Sequence, residues 1–240
     1  MRERLIKIGC CGFPVSRARY FGSFQVVELQ QTFYQVPKIS LAEKWHDESP
    51  SDFEYSLKAW QLITHEPKSP TYKKLKMRIP SSKEKNYGSF KPTEEVLLAW
   101  ERTREIAAAL EARVIVFQCP ASFEPKRENL NNLKRFFTSV KREEFIFAWE
   151  PRGRWSEKEV ESICRELDLI HIVDLFQARP AYGKIRYYRL HGRGGYKYKY
   201  TLEDLTQLKE EAKEEKDAYF MFNNVYMYED ALAFKKLFKC

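Results

Sequence analysis

The chain has 240 residues, 43% of them hydrophobic and 32% charged, and Lys plus Arg exceed Asp plus Glu by 42 to 34 for a net charge of +8. That apolar content excludes a disordered chain, and the length suits one large α/β core without requiring a second domain. No apolar run approaches the ~20 residues that span a bilayer, and Met1 to Gly9 is charged and passes into a strand-like run in place of a signal peptide, so we expect a cytoplasmic protein with no membrane partner.

In chain order, short β-rich runs alternate with helix-like runs, the pattern of repeated β-α units around a parallel sheet. The strand-like runs are Leu5 to Cys10, Val26 to Leu29, Phe53 to Leu57, Arg113 to Phe117, Phe145 to Trp149, Leu169 to Val173, Ile185 to Leu190 and Ala218 to Phe222. Eight strands close a barrel, so the expected fold is α/β, a single irregular TIM-like (β/α)8 barrel over residues 1–240. Amphipathic runs fill the gaps: Ser40 to Asp47, Thr93 to Ala112, Asn129 to Val140, Ser156 to Leu167, Thr201 to Lys216 and Glu229 to Phe238. Thr93, Asn129, Ser156 and Thr201 are expected to cap their helices, with Glu159 and Asp204 three residues past two of the caps. Val15 to Ser23 is a weaker helix, and the Pro- and Gly-containing connection after the sixth strand has little helical pattern, hence the irregularity.

The positive charge is concentrated in two stretches. Pro67 to Lys91 holds eight basic residues against Glu84 alone, and Lys184 to Lys199 holds six and no acid, so the rest of the chain is net acidic. The first stretch is also the one long insertion, placed after the third strand and therefore at the pole where barrels carry their chemistry. Both interleave aromatics, Tyr72, Tyr87 and Phe90 in one and Tyr196, Tyr198 and Tyr200 in the other, while Gly192, Gly194 and Gly195 would let backbone amides approach a phosphate. The competing reading is a solvated basic surface. Abundant Lys, Glu and Arg with few Gly also suits a thermophile. Cys10, Cys11, Cys119, Cys164 and Cys240 form neither a CxxC nor a zinc-like cluster and read as reduced, mostly buried thiols.

Polar residues gather at the carboxyl ends of the strands: Glu28, Lys58, Gln118, Glu150 with Arg152, Asp174, Arg189 with His191, and Asn223 with Asn224. Period-two alternation puts Val26 with Glu28, Val116 with Gln118, Ala148 with Glu150 and Arg189 with His191 on shared faces, so these ends should face the lumen. Charges of both signs meeting there are either paired or await a charged ligand.

These same residues carry a resemblance. The segments Gly9-Cys10-Cys11-Gly12-Phe13, Val27 to Tyr34, Phe53 to Lys58, Ile63-Thr64-His65, Phe117 to Phe123, Trp149-Glu150-Pro151-Arg152, Tyr188 to Arg193 and Phe222-Asn223-Asn224 resemble, in order and spacing, the DUF72 (YecE-like) family over nearly the full chain. The resemblance implies a TIM-like barrel of unestablished activity, related in architecture to barrels of the xylose isomerase and endonuclease IV type. Two motifs depart from the family: Cys10-Cys11 and Phe13 stand where Thr-Ser and Trp are usual, and the acidic motif Trp149 to Arg152 lacks a histidine.

The expected catalytic residues are Glu28, Lys58, Glu150, Asp174 and His191, and the expected substrate-binding residues are Tyr34, Gln118, Arg152, Arg189, Arg193, Tyr200, Asn223 and Asn224. Acid/base chemistry would use the carboxylates with His191 as proton carrier. Metal-assisted hydrolysis would use Glu28, Glu150, Asp174 and His191 around Mg²⁺ or Mn²⁺; there is no organic cofactor motif. Lys58 could form a Schiff base, but we expect it to pair with Glu28, and Arg189 with Glu150, as structural ion pairs. The leading expectation is an enzyme hydrolysing an anionic, phosphate-containing substrate, a small molecule or nucleic acid. Its rivals are a non-catalytic nucleic-acid-binding barrel with a basic, tyrosine-rich rim, and a barrel that sequesters a metabolite.

Overall fold

The structure is a computed structural model and describes residues 5–213 and 217–238. Eight parallel strands, β1 (Leu5–Cys10), β2 (Val26–Leu29), β3 (Glu54–Lys58), β4 (Val114–Gln118), β5 (Ile146–Glu150), β6 (Ile170–Val173), β7 (Arg186–Leu190) and β8 (Asp217–Phe222), pair in sequence order and close β8 onto β1. The fold is an α/β TIM barrel.

Helices α1 (Arg17–Phe21), α2 (Gln31–Tyr34), α3 (Ile39–Asp47), α4 (Gln61–Thr64), α5 (Glu94–Ala109), α6 (Arg127–Ser139), α7 (Glu157–Leu167), α8 (Leu202–Lys213) and α9 (Met227–Lys236) lie in the connections. Between β6 and β7 no helix is present among the described residues, as the loop composition predicts. The short α2 and α4 escape the sequence pattern because four residues show too little of a 3.6-residue period. Ser156 and Glu159 form a capping box, and Thr93 accepts from the Val96 amide. The side chains of Thr201 and Asp204 likewise accept from each other's amides. Asn129 is not a cap: α6 starts two residues earlier, and the Asn129 side chain donates to the Glu124 carbonyl. The predicted end of α8 at Lys216, the first residues Met1 to Arg4 and Cys240 lie outside the described residues.

Two apolar layers result from the alternation. Outward residues pack against the helices, most densely where Phe90, Trp100, Phe117, Phe136, Phe137 and Phe147 cluster, several of them edge to face. Burying each such ring contributes about 1.5–3 kcal/mol. Inward residues Val26, Val114, Val116, Ala148, Ile170, Ile172, Tyr187, Tyr219 and Met221 fill the lumen. The amino pole is plugged by Glu54, which engages Lys7 and the Tyr219 hydroxyl, with Arg113 3.6 Å away. The lumen is thus a packed core whose open end is the carboxyl mouth.

The insertion is ordered onto that mouth. Two short 3-10 turns, Pro70–Lys74 and Ser81–Asn86, shape it, and Gly88, Ser89 and Phe90 donate their amides to the carbonyls of Leu62, Thr64 and Ile63. Gly88 has φ +77°, and a Cβ there would meet the His65 carbonyl at 2.4 Å, so this crossing requires glycine.

Candidate active site

The inward face of each strand brings the predicted polar ends together. Glu28 is fully buried; its Oε2 accepts from the Tyr187 hydroxyl at 2.9 Å and Arg189 Nε at 3.2 Å, and its Oε1 faces Arg189 Nη2 at 3.1 Å and accepts from Gln30. Arg189, 1% exposed, also donates to Glu150 and to Gln118 Oε1 at 3.0 Å. Arg152 closes the lattice by donating to the other Glu150 oxygen at 2.7 Å. Burial works to raise the Glu150 carboxyl, but the guanidiniums of Arg189 and Arg152 outweigh it and hold it at about 2. Glu150 is therefore ionised at neutral pH and acts as an anchor for two arginines.

Beside this lattice opens a cleft of about 540 Å³, lined by Glu150, Arg152, His171, Asp174, Gln177, Arg189 and His191 among others. Asp174 Oδ2 accepts the His191 amide at 2.8 Å and lies 3.6 Å from His191 Nδ1, while its Oδ1 accepts the Phe176 amide at 3.1 Å. On the other edge of the ring, His191 Nε2 is 3.3 Å from Arg152 Nη2. His171, expected only as a strand residue, reaches the cleft wall; its Nδ1 accepts the Ala181 amide at 3.1 Å, and burial holds it down at about 4.

Several expectations are corrected. Lys58 does not pair with Glu28: every oxygen of Glu28 and Glu150 is engaged by Arg189, Arg152, Tyr187 or Gln30, and the Lys58 amine stands 3.9 Å over the Phe33 ring instead. The expected Arg189–Glu150 pair is present, with Glu28 as an added partner that strand order could not reveal. Arg193 is drawn out of the mouth onto α8, bonded to Asp204 and Gln207 at 2.5 Å each and stacked over Phe176. Tyr200 is buried, with its hydroxyl accepting the Gly192 amide at 2.8 Å, and Asn224 is buried and ties Tyr198 to Asp230. These three hold the loop after β7, Tyr200 and Asn224 through buried side chains and Arg193 through an exposed one. Tyr34 has its ring covered by Lys74 at 4.4 Å, and Asn223 is half-buried at the end of β8.

The metal set also fails on chemistry. Glu28 and Glu150 have a guanidinium between them where a cation would sit, and no group of three His, Cys, Asp or Glu residues among those described could hold a metal ion.

The basic rim is smaller than its sequence. Lys184, two residues before β7, and Arg186, its first residue, lie at the amino pole, where Lys184 pairs with Asp168, and Arg189 is inside the lattice. Lys68 and Lys91 pair with Glu66, and Lys83 with Glu95. Lys73, Lys76, Arg78 and Lys85 are exposed without an ion pair among the described residues. Of the six interleaved aromatics, Phe90, Tyr87 and Tyr200 are buried and Tyr72 and Tyr198 spend their hydroxyls on His65 and Asp204, leaving Tyr196, 55% exposed, open to a stacking base. Gly192 and Gly195 use their amides inside the loop, on Tyr200 and on the Gly192 carbonyl.

Sequence reading passed over Gln30, Phe33, Tyr187 and Gln177. Tyr187 shares the parity of Arg189 and was legible on that ground; Gln30, Phe33 and Gln177 lie beyond the strands, where parity gives no direction.

Comparison with known proteins agrees with this architecture. A family model described as "Protein of unknown function DUF72" matches residues 16–239. The UPF0759 protein YunF of Bacillus subtilis (strain 168) is 29% identical over 116 residues, covering 48% of this chain and 35% of that protein, so the match spans about a third of the length of that curated relative. A DUF72 family protein from Enterococcus faecalis V583 superposes over 100% of both chains with a TM-score of 0.74 at 18% identity. One from Thermotoga maritima MSB8 does so over 98% of this chain and 100% of that one, at 0.70 and 19%. More distant barrels include an AP endonuclease, family 2, from Brucella melitensis (TM-score 0.53, 11% identity, 93% of this chain and 94% of that one) and a D-allulose 3-epimerase from Methylomonas sp. (0.55, 12%, 99% and 97%). Likenesses at such identity carry the fold alone. With its family model matched from residue 16 to residue 239, the chain belongs to the DUF72 family.

Proposed function

We propose that this barrel is an enzyme that acts on an anionic, phosphate-containing substrate by acid/base chemistry at the cleft between β5 and β7. The observation that carries the reading is the arrangement of Asp174, His191 and Arg152. A guanidinium can only donate, so His191 Nε2, 3.3 Å from Arg152, accepts, and the ring proton rests on Nδ1 toward Asp174. In that tautomer Nε2 becomes a base at the cleft wall once Arg152 turns its N–H to a substrate oxygen. It would take a proton from an attacking water or hydroxyl, and the imidazolium formed would be stabilised by Asp174 before returning the proton to the leaving oxygen. Arg152 is 41% exposed and keeps N–H groups for a phosphate oxygen, with Glu150 fixing its orientation.

A second reading, a nucleic-acid-binding barrel without catalysis, is favoured by one observation: Lys73, Lys76, Arg78 and Lys85 are exposed at the same pole and have no ion pair among the described residues. The fold likeness to an AP endonuclease is compatible with nucleic acid as the substrate of the first reading and the ligand of the second. We place the protein in the cytoplasm, in keeping with four buried cysteines in the thiol form. The test is a fluorescence-anisotropy titration with short single- and double-stranded DNA and RNA across a salt series, followed by gels for cleavage. Salt-sensitive binding with cleavage supports the enzyme reading on nucleic acid, and binding without cleavage supports the binding barrel. No binding at low salt removes nucleic acid and leaves small phosphate esters as the substrates to assay.

A further inference from the structure

Lys58 is the last residue of β3, on the lumenal face at the carboxyl mouth, and is 4% exposed. Its backbone is fixed by the Thr32 hydroxyl, which donates to the Lys58 carbonyl at 2.8 Å, and its amine lies over the Phe33 ring. Among the described residues that amine has no hydrogen-bond or ion-pair partner, because Arg189 and its companions occupy the carboxylates nearby. A buried cation held only by a ring face is costly, and a methionine would fill the same space without the penalty. The site instead keeps an amine whose burial, aided by the charge of Arg189, brings it down to about 7. At neutral pH a far larger share of it is then uncharged, with a lone pair available, than of an exposed lysine, which is almost wholly ammonium.

We infer that Lys58 is a nucleophilic amine that condenses with the carbonyl group of a small aldehyde or ketone, an activity distinct from the phosphate-ester reading and not resting on it. The nitrogen lone pair adds to the carbonyl carbon, and the carbon–oxygen π pair moves to oxygen. Nitrogen gives up one proton and oxygen gains one, giving the carbinolamine. A second proton on that oxygen lets it leave as water while the nitrogen lone pair closes the carbon–nitrogen double bond. One carbonyl, one amine and one proton become one iminium and one water, with no change of oxidation state.

The test uses the intact protein at pH 7 with two aldehydes that differ only in phosphate, glyceraldehyde and glyceraldehyde 3-phosphate. Any imine is reduced with sodium borohydride to a stable secondary amine and located by peptide mass spectrometry. Lys58 should be labelled at least about tenfold faster than the exposed Lys73 and Lys76, since far more of it is unprotonated. The Lys58→Met and Lys58→Arg variants should lose that adduct and keep the surface background. Preference for the phosphorylated aldehyde would support both this inference and a phosphate site; equal labelling would support the inference and count against the phosphate site. Labelling of Lys73 and Lys76 with Lys58 unmodified, or modified no faster than they are, would overturn it.

Discussion

Arg189 and Glu28 meet across the mouth of the barrel with both side chains buried, Nη2 to Oε1 at 3.1 Å, and the same guanidinium serves Glu150. One buried cation therefore bridges two buried carboxylates, and Arg152 supplies the second positive charge at Glu150. Arg189→Met should destabilise the protein by about 3–5 kcal/mol, because it leaves buried charge uncompensated. Urea unfolding of the two proteins at pH 7 reads the difference, and an unchanged midpoint would mean that the lattice is more hydrated than its geometry indicates.

Acid should undo the lattice in a defined window. Glu150 titrates near 4.5 in an unfolded chain and at about 2 in the fold, so the unfolded state binds the extra proton between those values. The stability contributed by Glu150 is fully present above pH 4.5 and is lost as the pH falls through about 2. Glu150→Gln should be less stable than wild type at pH 6, and its unfolding midpoint should fall less between pH 5 and 2.5.

Lys58 has the opposite sign. Its amine titrates near 10.5 unfolded and at about 7 folded, so between these values the unfolded chain holds the extra proton and wild-type stability rises with pH. Lys58→Met should be more stable than wild type by on the order of a few kcal/mol at and below pH 7, and the advantage should shrink as the pH approaches 10. Urea midpoints at pH 7 and 9.5 check this; a variant less stable at pH 7 would contradict the unpaired amine.

The exposed rim offers a separable test. If nucleic acid binds, changing Lys73, Lys76, Arg78 and Lys85 to Gln should weaken it without altering thermal stability. The log–log salt slope should become shallower by about 0.9 for each duplex phosphate that is no longer neutralised. Weaker binding with an unchanged slope would place the phosphate-binding residues elsewhere.

The barrel was legible because alternation and turn chemistry act locally. β1 and β2 match their predicted limits, and the other strands differ only by a residue at one or both ends. The inward direction of Glu28, Lys58, Gln118, Glu150 and Arg189 follows from the same parity. Partnership across the lumen was not legible. Strands β2 and β7 are far apart in sequence, and only closure brings Arg189 to Glu28, displacing the expected Lys58 pair. Polar residues beyond the strand ends were the least readable: composition alone does not show that Arg193, Tyr200 and Asn224 make the contacts that fold the loop after β7 onto α8 and α9. The basic stretch around β7 misled for a related reason, since a strand carries its first and last residues to opposite poles and so divides Lys184 from Lys197.

The most direct measurement is the rate at which wild type and His191→Gln hydrolyse a panel of phosphate mono- and diesters, DNA and RNA, with binding of the best substrate measured in parallel. Turnover by wild type that falls ~10²–10⁴-fold in His191→Gln while binding is kept is the predicted result for a general base in the cleft. Binding that is equal in both proteins, with no turnover by wild type on any ester, would contradict the assignment of His191 and leave the barrel a binding protein.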